Sequence, residues 1–176
     1  MKLLVVVDYQ NDFVDGALGF PGAELLDEKI AQRINEYGEG NVFYTLDTHS
    51  EDYMDTREGK LLPVVHCVKG SQGHAVYGKT AEALKAVNAV GFCKESFGLD
   101  ISNPDVVSAL PRKEDVETVE LCGLVSNICV VSNAVAFQTL YPQARIIVDS
   151  ALTDSFDKSL NEQVLNVLKG LQVDVR

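Results

Sequence analysis

The chain has 176 residues, 46% of them hydrophobic and 23% charged, with 15 basic against 26 acidic residues and a net charge of −11. That size and apolar content suffice for one folded domain, residues 1–176, and exclude a disordered chain. The apolar runs, such as Leu3–Val7, fall far short of the ~20 residues of a membrane-spanning helix, and the acidic balance argues against nucleic acid or an anionic membrane as partner.

In chain order, Lys2–Val7 is a continuous apolar run ending at Asp8, the pattern of a strand buried on both faces. Leu25–Tyr37 places apolar residues at helical period and meets Gly38, which is suited to stop it. Asn41–Leu46 reads as a second strand, and Asp47–Gly78 as a long loop region of the kind that carries function. Thr80–Ala89 has helical character, Val90–Lys94 is a short strand, and Pro104–Leu110 a short helix. Val119–Gly123 is a buried strand, Cys129–Leu140 a helix, and Ala144–Val148 a strand running into Asp149. Asp157–Leu168 is a final helix and Gln172–Val175 an edge strand. This alternation predicts an α/β fold, a doubly wound parallel sheet with helices on both faces. Ligands of such sheets bind beyond the carboxyl ends of the strands. No signal-peptide pattern opens the chain, and Cys67, Cys93, Cys122 and Cys129 are spaced too widely for a CxxC motif, so reduced thiols and a cytoplasmic location are expected.

Three groups of residues carry chemistry. Asp8 and Lys94 end predicted strands and Cys129 opens a helix just after one, so all three project at one edge of the sheet. A thiol at a helix N-terminus near a lysine is expected to have a lowered pKa. A carboxylate beside it can take the thiol proton and return it to a leaving amine. The bland readings are a turn cap for Asp8, a solvated strand end for Lys94 and a small buried hydrophobe for Cys129.

The second group is Asp47, His49, Glu58 and His66, which holds two of the chain's three histidines. Mixed imidazole and carboxylate donors suit Zn²⁺, Fe²⁺ or Mn²⁺. Asp52 and Asp55 are rivals to Glu58, and an acidic solvated loop is the bland reading. His74, without acidic neighbours, reads as a surface histidine. The third group, Gly73-His74-Ala75-Val76-Tyr77-Gly78-Lys79-Thr80, satisfies the phosphate-binding pattern G-x-x-x-x-G-K-[ST]. No strand feeds it directly, and Val76 and Tyr77 are bulky for a phosphate-wrapping turn.

These motifs together resemble the isochorismatase-like cysteine hydrolases. Leu4–Phe13 resembles the first strand of that superfamily and Leu121–Val130 its nucleophile segment. Asp47-x-His49 and Pro63–Gly70 are similar to the metal-binding stretch of its nicotinamidase branch. The resemblance implies Cys129 as a nucleophile on an amide carbonyl, Asp8 as general base and acid, and Lys94 holding both in place. It implies a cis peptide at Leu124–Val125 and an oxyanion hole from the backbone amides of Val125 and Cys129. It also implies a divalent metal, zinc first, on Asp47, His49, Glu58 and His66, orienting a pyridine nitrogen of the substrate. A homo-oligomer acting on a small amide, with nicotinamide foremost, follows from the same likeness.

The chain departs from that pattern at two places. It has no tryptophan, so Leu62-Pro63-Val64-Val65-His66 replaces the usual Trp-Pro-x-His, leaving Leu62, Phe13 and Phe97 to wall the substrate pocket. Asn127 stands where many nicotinamidases have aspartate. Another small amide or a carbamoyl compound is the alternative substrate. A nucleotide-binding protein using Gly73–Thr80 and a catalytically silent interaction domain are the readings from other classes.

Overall fold

The computed structural model describes all of residues 1–176. Six strands form one wholly parallel sheet: β1 (Lys2–Val7), β2 (Val42–Asp47), β3 (Val90–Lys94), β4 (Thr118–Leu124), β5 (Arg145–Asp154) and β6 (Asp174–Val175), in the order β3-β2-β1-β4-β5-β6. The helices are α1 (Asn11–Val14), α2 (Asp27–Tyr37), α3 (Arg57–Leu61), α4 (Gly78–Ala86), α5 (Pro104–Ala109), α6 (Val131–Leu140) and α7 (Lys158–Gly170).

Alternation along β1 shows why its sequence is apolar throughout. Leu3, Val5 and Val7 pack in one buried cluster with Val106 of α5, Phe137 of α6 and Leu168 of α7. Leu4 and Val6 pack in a second cluster, with Ile30 and Ile34 of α2 and Ala83 and Leu84 of α4. Both faces of the sheet are therefore covered, as the doubly wound reading requires.

Local signals place most element ends. Gly38 takes φ 71° after α2, and its amide donates to the Ile34 carbonyl at 3.0 Å. The Asn103 side chain caps α5 ahead of Pro104, and the Asp157 carboxylate caps α7 through the Leu160 amide. Several boundaries differ from the sequence expectation. The helical run to Leu140 starts at Ser126 with a π turn over Ser126–Val130, so Cys129 lies within the first turns and does not open the helix. Strand β5 continues past Asp149 to Asp154. A bulge breaks its register with β4 between Leu121 and Gly123, turning Asp149 aside to Arg33 while Thr153 rejoins the ladder. Apolar patterning does not register such an interruption, because Asp149, Ser150 and Ala151 end the apolar run before Leu152 resumes it.

A buried charge lies in the middle of the sheet. Glu120 of β4 is 2% exposed and is held by the Arg33 guanidinium and by the Tyr37 hydroxyl at 3.0 Å, both from α2. Gly123 marks a backbone constraint instead. Its φ is +106°, and a Cβ there would lie 2.0 Å from the Val7 carbonyl oxygen. Gly123→Ala is expected to cost roughly 1–3 kcal/mol of stability through a forced backbone shift. Denaturant unfolding checks this, and an unchanged midpoint refutes it.

Candidate active site

The parallel register brings the reactive side chains together. Asp47 and Lys94 are paired residues at the ends of β2 and β3, and Asp8 follows β1 directly. The Asp8 amide donates to the Thr45 carbonyl at 3.2 Å, and Asp8 adopts φ +44°, a conformation that turns its carboxylate into the site. Left-handed backbone at a non-glycine residue is uncommon and collects at functional sites.

Lys94 is the centre of the arrangement, its side chain 1% exposed. Its Nζ lies 2.6 Å from Asp8 Oδ2, 3.3 Å from Asp47 Oδ1 and 3.6 Å from Cys129 Sγ. The Thr45 hydroxyl donates to Asp8 Oδ1 at 2.6 Å. The three residues predicted to share one sheet edge are therefore joined at one ammonium group. Burial disfavours that ammonium, but the charges of Asp8, Cys129 and Asp47 outweigh it and hold Lys94 above its ordinary pKa.

The thiol departs from the sequence expectation. Burial, and then the Asp8 charge, push Cys129 well above an ordinary thiol, against the opposing pull of Lys94. The Lys94 charge is already engaged by two carboxylates, so little of it remains to stabilise a thiolate. Burial likewise raises the Asp8 carboxyl, with Lys94 opposing and Asp47 adding to the rise. Burial thus favours the neutral thiol, beside a carboxylate made more basic than usual, a pairing able to pass a proton from one to the other.

Asp47 belongs to a second cluster as well. Its Oδ2 lies 3.0 Å from His49 Nε2 and 3.3 Å from His66 Nε2, with all three residues buried. A parallel bridge between His49 and Val68 explains how His66 arrives there. The His49 amide donates to the Cys67 carbonyl and the Lys69 amide to the His49 carbonyl. Gln10 clamps the Asp47 backbone, accepting from its amide at 2.8 Å and donating to its carbonyl at 2.9 Å. Tyr53 packs against both imidazoles, with centroids at 4.5 and 5.0 Å. Burial works to raise the Asp47 carboxyl, but hydrogen bonds with His49 and His66 and the Lys94 charge hold it far below the usual carboxylate range.

The donor set fits a divalent metal. His66 Nδ1 lies 2.8 Å from the Val64 carbonyl, which can only accept, so Nδ1 carries a proton and Nε2 is the atom left to meet Asp47, donating to the carboxylate when the ring is charged and offering a lone pair to a cation when it is neutral. One donor atom from each of Asp47, His49 and His66 lies within 4.8 Å of the others. Lone pairs converging on a carboxylate need a cation or a proton between them, and the Nδ1 bond is the usual second contact of a metal-bound histidine. Glu58 Oε1 is 3.9 Å from His49 Nε2 at the rim of this group. Asp52 and Asp55 are exposed, and Asp52 accepts from the Ser50 hydroxyl.

Both clusters open into one cavity of about 1010 Å³, and Phe13, Leu62 and Phe97 line it together with Leu18, Tyr53, Ile128 and Phe156. Thr45, Gln10 and Tyr53 escaped the sequence reading because each acts through a neighbour. Gln10 at least lies inside the Leu4–Phe13 motif.

Two sequence expectations change. His74 is half-buried rather than on the surface, with Nε2 2.9 Å from the Thr48 hydroxyl, and burial holds it below the ordinary imidazole pKa. The Gly73–Thr80 segment is no phosphate cradle. The backbone amides of Lys79 and Thr80 at the start of α4 each donate to an Asp27 carboxylate oxygen at 2.8 Å, and Lys79 Nζ pairs with Glu28 at 3.1 Å. A side-chain carboxylate occupies the place an anion would take. The Leu124–Val125 peptide bond is cis, as the resemblance implied. No helix is long and apolar enough to cross a membrane.

A parallel sheet whose carboxyl edge gathers a buried carboxylate, lysine and thiol defines a hydrolase-like α/β architecture. The chain matches the isochorismatase domain over residues 2–175 and belongs to the isochorismatase family. Its fold is similar to a pyrazinamidase/nicotinamidase from Streptococcus mutans UA159, at 26% identity over 100% of both chains and a TM-score of 0.83. It is also similar to a pyrazinamidase of Pyrococcus horikoshii in complex with zinc, at 22% identity over 99% of this chain and 98% of that one, TM-score 0.81. An N-carbamoylsarcosine amidase from Thermoplasma acidophilum shares 25% identity over 99% of this chain and 95% of that one, TM-score 0.73. Comparison with curated protein sequences gave no match.

Proposed function

We propose that this chain is a cysteine amidohydrolase of nicotinamidase type, releasing ammonia and nicotinate from nicotinamide. The observation that carries the reading is the single buried ammonium of Lys94 in contact with both Asp8 and Cys129. As the Cys129 sulfur attacks the amide carbonyl, its proton passes to Asp8. The tetrahedral oxyanion is held by the backbone amides of Val125 and Cys129. Collapse breaks the C–N bond, and Asp8 gives its proton to the departing nitrogen, leaving ammonia and a thioester on Cys129. Water then attacks the thioester while Asp8 takes its proton, and the acid leaves as that proton returns to the sulfur.

Asp47, His49, His66 and, at the rim, Glu58 would hold a divalent metal, zinc being the first choice. Such an ion supplies a Lewis-acidic centre that orients a donor atom of the substrate. Phe13, Leu62 and Phe97 wall the ring. The reading takes residues 1–176 as one catalytic domain, in line with the family membership and the single sheet running from Lys2 to Val175, and places that domain in a homo-oligomer.

Purified protein incubated with nicotinamide should release ammonia and nicotinate in equal amounts. Metal-bearing protein inert on nicotinamide but active on a carbamoyl compound would instead favour the second reading, which the likeness to the N-carbamoylsarcosine amidase supports. His66→Ala removes one of three clustered donors and is expected to lower bound metal about 10–100-fold or more in affinity. Elemental analysis after dialysis checks this, and full retention of the ion rejects the assignment.

A further inference from the structure

The cavity that ends on Cys129 is much larger than its reactive floor. At about 1010 Å³ it stands at the top of the ~300–1,000 Å³ range of sites that enclose drug-sized ligands. A single-ring amide seated on Cys129 fills only a small part of that space.

Four large apolar side chains from separate parts of the chain line the remainder, beside the polar Arg57, Glu58, Glu95 and Ser96. The floor residues Asp47, His66 and Cys129 are buried, whereas Leu61 is 72% exposed, Phe156 56%, Phe97 45% and Leu62 38%, all of them lining the same cavity. Leu61 ends α3 and Leu62 follows it, Phe97 follows β3, and Phe156 follows β5. Large apolar side chains at such exposure cost solvation unless something covers them, and gathered patches of them mark binding surfaces. Phe156 is braced in place, its ring edge-to-face with Phe20 at 6.4 Å. The patch is continuous with the reactive floor, so a molecule held at Cys129 and long enough to reach the mouth covers it.

We infer that the outer mouth formed by Leu61 and Phe156, more exposed than the Leu62 and Phe97 that wall the ring, is a subsite for an apolar extension of the substrate. On this inference, which rests on the amidohydrolase reading, the preferred substrates are neutral primary carboxamides bearing an alkyl or aryl group beyond the amide-bearing ring. Nicotinamide itself reaches no further than Phe13, Leu62 and Phe97.

The test uses the metal-loaded full-length protein and nicotinamides carrying ethyl, butyl or phenyl at each open ring position. With substitution at the position that faces the mouth, kcat/KM is expected to rise about fourfold for each buried methylene. Leu61→Ser and Phe156→Ser should bring the ratio of extended amide to nicotinamide back toward one. A series that stays flat or falls at every ring position overturns the inference, as does a ratio that neither variant changes. Calorimetric binding to Cys129→Ala separates this from failure of the amidohydrolase reading. If no amide is turned over by the wild type, that reading fails. The subsite then stands on tighter binding of the extended compounds that is lost in Leu61→Ser, and it falls if they bind no better than nicotinamide.

Discussion

Cys129→Ala is expected to reduce ammonia release by about 10⁵–10⁶-fold, the scale seen when the nucleophile of a covalent hydrolase is deleted. The sulfur is the atom that forms and then releases the acyl bond, and Cys129 carries the one thiol hydrogen-bonded to Lys94. Cys67 and Cys122 are buried elsewhere, and Cys93 is exposed on the edge strand. The change removes one small buried group, so the fold is expected to lose only about 1 kcal/mol. Turnover by a coupled ammonia assay, with metal content and unfolding midpoint recorded for both proteins, makes the comparison. Mass spectrometry of rapidly quenched wild type should show the chain heavier by one acyl group, and the variant should show none. Retained turnover in a metal-loaded, folded Cys129→Ala protein refutes the nucleophile assignment.

Lys94→Ala is expected to damage both stability and catalysis. The Nζ group is the only cation within reach of Asp8, which is fully buried. Removing it leaves that carboxylate uncompensated and weakens the support of Asp47, at a cost of about 3–5 kcal/mol. A second substitution separates the two effects. Lys94→Met combined with Asp8→Asn replaces the ion pair with neutral groups and is expected to recover most of the stability without restoring turnover. Denaturant titration and the ammonia assay on the single and double variants read out both quantities. An active double variant overturns the roles given to Asp8 and Lys94. A stable Lys94→Ala protein overturns the account of the buried charge.

Much of the site was legible because a parallel sheet orders its strand ends. Asp8, Asp47 and Lys94 each terminate or directly follow an apolar run, and strand ends of one sense meet at one edge. The metal-type donors were legible only as residue types in a loop. Their convergence depends on the bridge between His49 and Val68, which joins residues far apart in sequence. The phosphate-loop pattern failed for a related reason. Its spacing was present, but the amides it would offer are taken by Asp27 on a different helix.

By itself the sequence determined the strand-and-helix alternation, the two-faced burial of the sheet and the edge where chemistry gathers. These follow from local apolar periodicity and from the single sense of parallel strands. The tertiary structure alone decided which groups oppose one another and how far water is excluded from them. It paired Arg33 with the buried Glu120, set Thr45 on Asp8 and Gln10 on Asp47, and capped α4 with Asp27. It also reversed the expected direction of the Cys129 pKa, because desolvation and the engagement of Lys94 by two carboxylates depend on distances in space that spacing along the chain does not contain.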